Sequence, residues 1–123
     1  MANFALIKDS IVLSVIVIDN NIITDNGTEI EQLGIDFINS LNIKNIYDYD
    51  AIRQTSYNGN FRSKYAAIGD TWDETNNVFI SPKPFVSWTL NNNFKWEAPL
   101  SYPSSGNYTW NESTLEWIPA LVQ

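Results

Sequence analysis

The chain of 123 residues contains no cysteine and no histidine. The absence of cysteine excludes disulfide bonds, thiolate nucleophiles and zinc–thiolate sites. The absence of histidine removes the side chain that most often transfers protons near neutral pH and binds transition metals. Because the usual residues of nucleophilic and metal-dependent catalysis are missing, we expect a protein that is not an enzyme and that uses no cofactor and no metal.

Positive charge is also scarce. Seven Lys and Arg residues stand against 14 Asp and Glu residues, so the formal net charge is -7. The cations are scattered along the sequence and form no basic patch that would attract the phosphates of a nucleic acid. We therefore expect no direct contact with nucleic acid.

No long apolar run is present. The most apolar segment covers residues 11–18, whereas a helix that crosses a bilayer needs about 20 residues. The first residues, MANFALIKDS, show no basic region followed by a long apolar stretch, so we expect no secretory leader. These patterns predict synthesis in the host cytoplasm and no membrane partner.

Aromatic and other apolar side chains, in contrast, are abundant. Hydrophobic residues make up 44% of the chain and aromatic residues 14%, which predicts a folded rather than a disordered protein. A chain of this length suits one hydrophobic core. We therefore expect a single domain, residues 1–123, in which residues 1–69 hold a hairpin, a helix and an irregular segment.

The N-terminal third predicts a hairpin followed by one helix. Residues 4–7 and 11–18 are rich in β-branched residues and predict two strands. Thr28 and Glu31 have the spacing of a capping box, so a helix is predicted over residues 29–41. Gly34 lies inside it, although glycine costs about 1 kcal/mol relative to alanine there. The apolar positions predicted to cover the sheet are Ile30, Leu33, Phe37, Ile38 and Leu41.

Residues 45–69 mix aromatic and polar side chains around the turn dipeptide Asn58-Gly59. The pattern predicts an irregular segment that faces solvent. Its aromatic residues can simply pack the loop, and they are also a second candidate surface for a partner. The candidate residues are Tyr57, Phe61, Arg62 and Tyr65.

Three later segments repeat one pattern, in which a tryptophan is followed by a polar stretch, a second aromatic residue and a proline. The positions are Trp72, Phe79 and Pro82, then Trp88, Trp96 and Pro99, then Trp110, Trp117 and Pro119. Polar residues between two aromatic residues favour turns, and aromatic residues at this separation can face each other across a hairpin. Residues 70–123 are therefore predicted to form an array of three similar hairpins. The predicted fold class is mainly β (α+β), with antiparallel hairpins and one helix packed on the sheet.

Several segments resemble small proteins encoded by tailed phages of marine bacteria, including phages of cyanobacteria and of abundant oceanic heterotrophs. They are MANFALI, VLSVIVIDN, QTSYNGNFRSKYAAIGDTWD, FISPKPFVSWTLNNNFKWEAPLSYP and YTWNESTLEWI. The resemblance spans nearly the whole chain and implies a viral origin without implying an activity. The segment YPSSGNYTWNESTLEW also resembles the ends of phage tail-fibre assembly and tail accessory proteins.

Two groups of acidic residues are candidate catalytic sites. Asp48 with Asp50, and Asp70 with Asp73 and Glu74, could act as acid and base if their surroundings separated their pKa values. Both groups lie where turns or strand edges favour polar residues, so no catalytic residue is predicted. The oxygen-rich stretch DNNIITDNG lacks the spacing of a calcium-binding EF-hand loop and is interpreted as a capped turn.

These observations predict a structural, non-enzymatic component of a tailed-phage virion, most specifically a capsid decoration or cement protein. Its partners would be phage structural proteins, with the major capsid protein as the first candidate, and it could form a homo-oligomer. The aromatic residues expected to bind are Phe85, Trp88, Phe94 and Trp96. Two alternatives stay open: a tail or fibre protein that binds host-surface glycans on Trp88 or Trp110, and a tail-fibre assembly chaperone.

Overall fold

The computed structural model describes residues 1–121. The chain divides into two compact units, Met1–Pro82 and Lys83–Gln123. We expected the aromatic hairpins to form one array over residues 70–123, but the first hairpin belongs to the N-terminal unit. That the whole chain acts as a single domain stays a prediction.

The N-terminal unit is built on one antiparallel sheet of five strands, in the order β5-β1-β2-β6-β7. The strands of this sheet are β1 (Ala2–Lys8), β2 (Ile11–Ile18), β5 (Ala51–Thr55), β6 (Thr71–Asp73) and β7 (Val78–Ile80). The helices are α1 (Asn20–Ile23) and α2 (Glu31–Ser40), and β3 (Thr24–Asp25) and β4 (Thr28–Glu29) form a separate small hairpin. The predicted mainly β, α+β class is confirmed, as is the opening hairpin.

Strand β1 lies inside the sheet, between β5 and β2, and is buried on both faces. Phe4 and Leu6 belong to a cluster that the helices cover, together with Ile38. Ala5 and Ile7 point to the opposite face, because side chains alternate along a strand. There they join the second cluster, whose other buried members are Val12, Ala66, Trp72 and Phe79.

Helix α2 begins later than predicted, and the predicted capping box is wrong. Thr28 pairs with Asp25 in the small hairpin and is therefore not free to cap the helix. The residue at the cap position is Ile30, which makes no capping hydrogen bond through its side chain. The predicted apolar face is right only in its middle, since Ile38 is buried whereas Ile30 and Leu41 are exposed.

Gly34 explains how the helix approaches the sheet so closely. A Cβ atom at this position would lie 2.1 Å from Cζ of Phe4, which is far inside van der Waals contact. The glycine that is unfavourable for an isolated helix is therefore required by the packing of the Phe4 ring, which is fully buried.

Two further elements were not predicted. Residues 20–23 form helix α1, and the carboxylate of Asp19 accepts a hydrogen bond of 2.8 Å from the amide of Asn21 at its start. Residues 51–55 form β5, which pairs with β1 as an edge strand of the sheet. The rest of the segment predicted to be irregular, residues 45–50 and 56–69, contains no helix and no strand.

The C-terminal unit contains two short hairpins. They are formed by β8 (Thr89–Leu90) with β9 (Trp96–Glu97) and by β10 (Tyr108–Asn111) with β11 (Glu116–Pro119). No residue of this unit within positions 83–121 is fully buried. Its side chains are at best half-buried, in contrast to the two buried clusters of the N-terminal unit.

The predicted facing pairs are correct in two hairpins of three. Trp72 lies opposite Phe79, and Trp110 lies opposite Trp117. In the middle hairpin Leu90 lies opposite Trp96, because Trp88 precedes β8 and takes no part in the pairing. In residues 1–121, neither helix has the length and apolar character needed to cross a membrane.

Replacing Gly34 with Ala should destabilise the N-terminal unit by about 1–3 kcal/mol, because the added methyl group collides with Phe4. This outcome opposes the gain of about 1 kcal/mol that helix propensity alone predicts. Urea denaturation measures the difference. The control is Gln32→Ala on the exposed side of the same helix, which should change stability by only a few tenths of a kcal/mol. A more stable Gly34→Ala variant would contradict the packing.

Candidate functional site

The aromatic residues of the C-terminal unit form a cluster centred on Trp88. Ring centroids of Phe85, Trp110 and Trp117 lie 5.5, 6.1 and 6.0 Å from the Trp88 ring. The facing pair Trp110 and Trp117 is 5.1 Å apart, edge to face. Such separations are those at which aromatic pairs attract each other beyond the burial of their area. Hairpin β10–β11 is thus held to the preceding chain by stacked rings.

Tyr102 extends this cluster. Its ring centroid lies 4.9 Å from that of Trp117 and 6.0 Å from that of Tyr108. Its hydroxyl oxygen accepts a hydrogen bond of 2.9 Å from the amide of Tyr108. The indole of Trp117 donates a bond of 2.9 Å to the carbonyl of Leu100. The segment between the two hairpins is therefore attached to β10 through Tyr102 and to β11 through Leu100.

An open cleft of about 450 Å³ lies beside this cluster. Aromatic and apolar side chains line most of it, and Glu97 and Ser101 are its polar side chains apart from the tyrosine hydroxyl. The remaining lining residues are Trp88, Trp96, Ala98, Leu100, Tyr102 and Trp117. Clefts that combine aromatic side chains with a few polar groups are the usual form of a binding site. This cleft is the candidate functional site.

Glu112 fixes the chain on which Trp88 lies. One carboxylate oxygen accepts from the Trp110 indole at 2.8 Å and from the Ser87 hydroxyl at 2.7 Å. The other accepts from the Ser87 amide at 2.9 Å. The hydrogen bond from Trp110, followed by that from Ser87, holds the pKa of Glu112 below its usual value. The ionised side chain thus joins β10 to the chain before β8.

The indole N–H of Trp88 is buried and has no hydrogen-bond partner within residues 1–121. A buried donor left unpaired costs about 1–3 kcal/mol. The ring is nevertheless held there by its contacts with Trp110 and Trp117. Ring packing, and not a hydrogen bond of the indole, therefore holds the Trp88 side chain in place.

The four residues predicted to bind a partner in this unit take different positions. Phe85 and Trp88 belong to the aromatic cluster, and Trp96 lines the cleft. The ammonium of Lys83 lies 5.7 Å from the Trp96 ring centroid. Phe94 and Trp96 were expected on one strand face, but Phe94 lies in the turn with φ of 61°. The structure brings three of the four together and places Phe94 apart from them.

The second candidate group lies on the N-terminal unit. Tyr57 and Phe61 are exposed and line a small pocket of about 210 Å³ that is otherwise mostly polar. The tilted rings of Tyr65 and Tyr57 are in contact, with their centroids 5.3 Å apart. The Tyr65 hydroxyl donates to the side-chain oxygen of Asn3. Of the four residues, only Tyr57 and Phe61 are therefore exposed.

Arg62, the fourth member of that group, is used inside the unit. Its guanidinium donates to the carboxylate of Glu31 and, at 2.8 Å, to the carbonyl of Gln54. It also lies 5.1 Å from the ring centroid of Trp72, and Arg53 lies 5.8 Å from the same ring. These contacts close the outer edge of β5 and cover Trp72, which gives Arg62 a structural role.

Glu31 completes the closure of this sheet edge. Its carboxylate accepts from the Gln54 amide at 2.6 Å, so a side chain satisfies an edge donor of β5. Burial alone would raise the pKa of Glu31. The hydrogen bonds from Arg62 and Gln54 and the charges of Arg62 and Arg53 outweigh burial and lower the pKa.

The acidic residues weighed as catalytic candidates have structural partners. Asp70 is buried and bonded to the Lys64 ammonium at 2.6 Å, and Asp73 accepts from Asn76 in the hairpin turn. Asp50 accepts from the amide of Asp9. Asp48 lies 3.6 Å from Lys8 at the surface, and Glu74 pairs with Arg53. Among residues 1–121, no three acidic residues converge as metal ligands would.

Leu100, Tyr102 and Glu112 are site residues that the sequence reasoning missed. One signal was present, because a glutamate follows the tryptophan by two positions in both TWDE and TWNE. In each case the carboxylate accepts from the indole N–H of that tryptophan. Leu100 and Tyr102 carry no comparable pattern. Comparison with protein families, curated proteins and solved structures finds no match to this chain.

Replacing Glu31 with Gln should flatten the pH dependence of stability in the acid range. Because the folded-state pKa of Glu31 is lowered, its contribution is fully present above the unfolded value of 4.5 and is lost as the pH falls through the folded value. Urea denaturation at a series of pH values between neutral and acid measures this slope. The exposed neighbour variant Glu29→Gln should retain the wild-type slope, and a Glu31→Gln slope equal to wild type would contradict the assignment.

Replacing Trp88 with Ala should disorder the C-terminal unit, since Trp88 contacts three other rings of the cluster. The loss is expected to reach about 3 kcal/mol. The indole signals in a ¹⁵N–¹H spectrum report each unit separately, so those of Trp110 and Trp117 should collapse while that of Trp72 persists. Val86→Ala, an adjacent residue that is 85% exposed, is the control and should change none of them.

Proposed function

We propose that this protein is a non-enzymatic accessory component of a tailed-phage particle that decorates the capsid and attaches through its C-terminal unit. The resemblance of the sequence to small proteins of marine phages supports the phage origin. The cleft beside the Trp88 cluster supports binding as the activity. The major capsid protein is the proposed partner.

The observation that carries the proposal is the absence of any fully buried residue within positions 83–121. Units of about 40 residues or fewer usually need disulfides, metals or association to be stable. Cysteine is absent from the whole chain. Association is then the remaining way to bury this unit, and a partner surface would cover its half-buried rings.

Large apolar side chains are available for such a contact. In this unit Val86, Leu100 and Tyr102 are at least half exposed. Aromatic residues at the centre of an interface contribute most of its binding energy. On a shell of identical subunits, a protein present in many copies gains occupancy from many similar sites. A short aromatic unit is sufficient for that kind of attachment.

The cleft also favours a second candidate, a tail or fibre protein that binds glycans. A pyranose ring can stack on the exposed part of an indole or phenol ring while its hydroxyls bond to polar groups. Trp96 and Tyr102 supply rings, and Glu97 and Ser101 supply acceptors and a donor. Purified particles distinguish the candidates: a high copy number supports decoration, a low copy number a tail location, and absence an assembly chaperone.

Leu100→Asp should weaken attachment to bare capsids about tenfold or more, because it replaces an apolar lining side chain with a second carboxylate in the cleft that Glu97 already lines. Leu115→Asp is the matched control. Leu100 and Leu115 are 51% and 48% exposed, but Leu115 lies in the turn between β10 and β11, outside the cleft.

Sedimentation of capsids with the added protein measures the attachment, and thermal denaturation confirms that both variants are folded. Equal attachment of the two variants would contradict a role for the cleft. A glycan array distinguishes the glycan-binding tail or fibre protein. In that case the wild type binds glycans and Leu100→Asp does not, and neither protein binds bare capsids.

A further inference from the structure

The third aromatic hairpin is a structural copy of the first. Residues 71–80, TWDETNNVFI, align with residues 109–118, TWNESTLEWI, and share the Thr, Trp, Glu and Ile positions. The paired aromatic residues face each other in both hairpins, and in both the glutamate accepts from the indole. The residue before the second strand has positive φ in both, 59° at Asn77 and 56° at Leu115. The first hairpin therefore shows what the third can bind.

The first hairpin is completed by β2, which covers the outer edge of β6. The amide of Trp72 donates to the carbonyl of Ser10 at 2.7 Å. Val12 makes two further hydrogen bonds, each 2.9 Å long. Its amide donates to the carbonyl of Asp70, and its carbonyl accepts from the amide of Gly69. Residues 10–12 thus add a strand to residues 69–72.

The corresponding edge in the third hairpin carries no strand. Within residues 1–121, β10 and β11 form a sheet of two strands only. The carbonyl of Asn107 accepts from Ala120 across the hairpin, whereas the amide of Tyr108 points outward to the hydroxyl of Tyr102. Because amides alternate in direction along a strand, the amide of Trp110 points outward as well. It occupies the position that Trp72 has in the first hairpin.

The other edge of this hairpin is less able to accept a strand. Pro119 occupies β11 at a position that points outward, opposite Tyr108, and proline has no amide to donate. Edge prolines of this kind prevent pairing. An added strand would therefore pair with β10 and not with β11.

Charge indicates the chemistry of the missing strand. In the first hairpin Arg53 and Arg62 lie over the Trp72 ring, and Arg53 pairs with Glu74. The sequence from residue 96 to the end contains three glutamates, Glu97, Glu112 and Glu116, and no lysine or arginine. The charge of Lys83 acts on Glu112 of this hairpin, and a cation on the joining strand would take the place over Trp110 that Arg53 and Arg62 have over Trp72.

We propose that the outer edge of β10 binds, antiparallel, an exposed β-strand of the partner protein that carries branched aliphatic residues and a flanking arginine or lysine. This inference rests on the proposed attachment of the C-terminal unit and names the partner's binding element. The strand would pair with residues 108–110 as residues 10–12 pair with residues 70–72. Main-chain bonds supply the affinity in such strand addition, and alternate side chains supply the specificity.

The test uses the whole protein and a synthetic peptide with the sequence of residues 8–16, KDSIVLSVI, which contains the strand seen on the first hairpin and a lysine. Amide hydrogen exchange is followed at Trp110 and Thr109. At roughly nine-tenths saturation the exchange of Trp110 should slow about tenfold, because only unbound protein exchanges. The exchange rate of the Thr109 amide, which points inward, should not change. The matched control is the same peptide with Val12→Pro. Its proline has no amide to donate to the carbonyl of Tyr108, the residue that corresponds to Asp70.

Unchanged exchange at Trp110 under saturating peptide, or equal slowing by the control peptide, would overturn the proposal. A second measurement, exchange of the protein bound to bare capsids, separates it from the proposed function. Attachment to capsids with unprotected Trp110 would overturn the strand site while leaving capsid decoration intact. Slowing by the peptide without any attachment to capsids would support the strand site and contradict capsid decoration.

Discussion

Burial of strand β1 on both faces is the constraint on which the N-terminal unit depends. A strand with apolar side chains on both sides must be covered twice. On one face the Phe4 ring requires a helix whose residue 34 has no side chain. On the other face Ala5 and Ile7 are joined by Trp72 and Phe79 of the first aromatic hairpin. The helix and the hairpin, which are distant in the sequence, are thus both required by one strand.

The same hairpin has two structural outcomes in this chain. In the N-terminal unit β2 and two arginines complete it, and its Trp72 is buried. In the C-terminal unit the copy packs against Trp88 and Tyr102, and its rings stay half-buried. Apolar area that stays in contact with water does not stabilise the fold, and its burial against a partner would be favourable. The third hairpin, and not the first, therefore has apolar area available for binding. Stability and binding are in this way divided between two similar elements.

Two of the eight residues that line the cleft were among the predicted binding residues. The repeated tryptophans identified Trp88 and Trp96, since aromatic residues spaced by polar turns favour hairpins. Arg62, in contrast, was proposed for a partner surface but closes the edge of β5 with Glu31, because its contacts involve residues far away in the chain. Tyr102 and Leu100 were not predicted for the same reason. Their positions depend on hydrogen bonds to Tyr108 and Trp117, which no local pattern announces.

The sequence by itself determined the opening hairpin, the fold class and two of the three facing aromatic pairs. These properties depend on composition or on residues fewer than ten positions apart, where alternation and turn preference act. Only the tertiary structure showed that the Phe4 ring packs against Gly34 and that Thr28 lies in a strand and cannot cap α2. It also showed that the first hairpin joins the five-stranded sheet and the third does not. Each of these depends on contacts between distant segments, and packing there outweighs local preference.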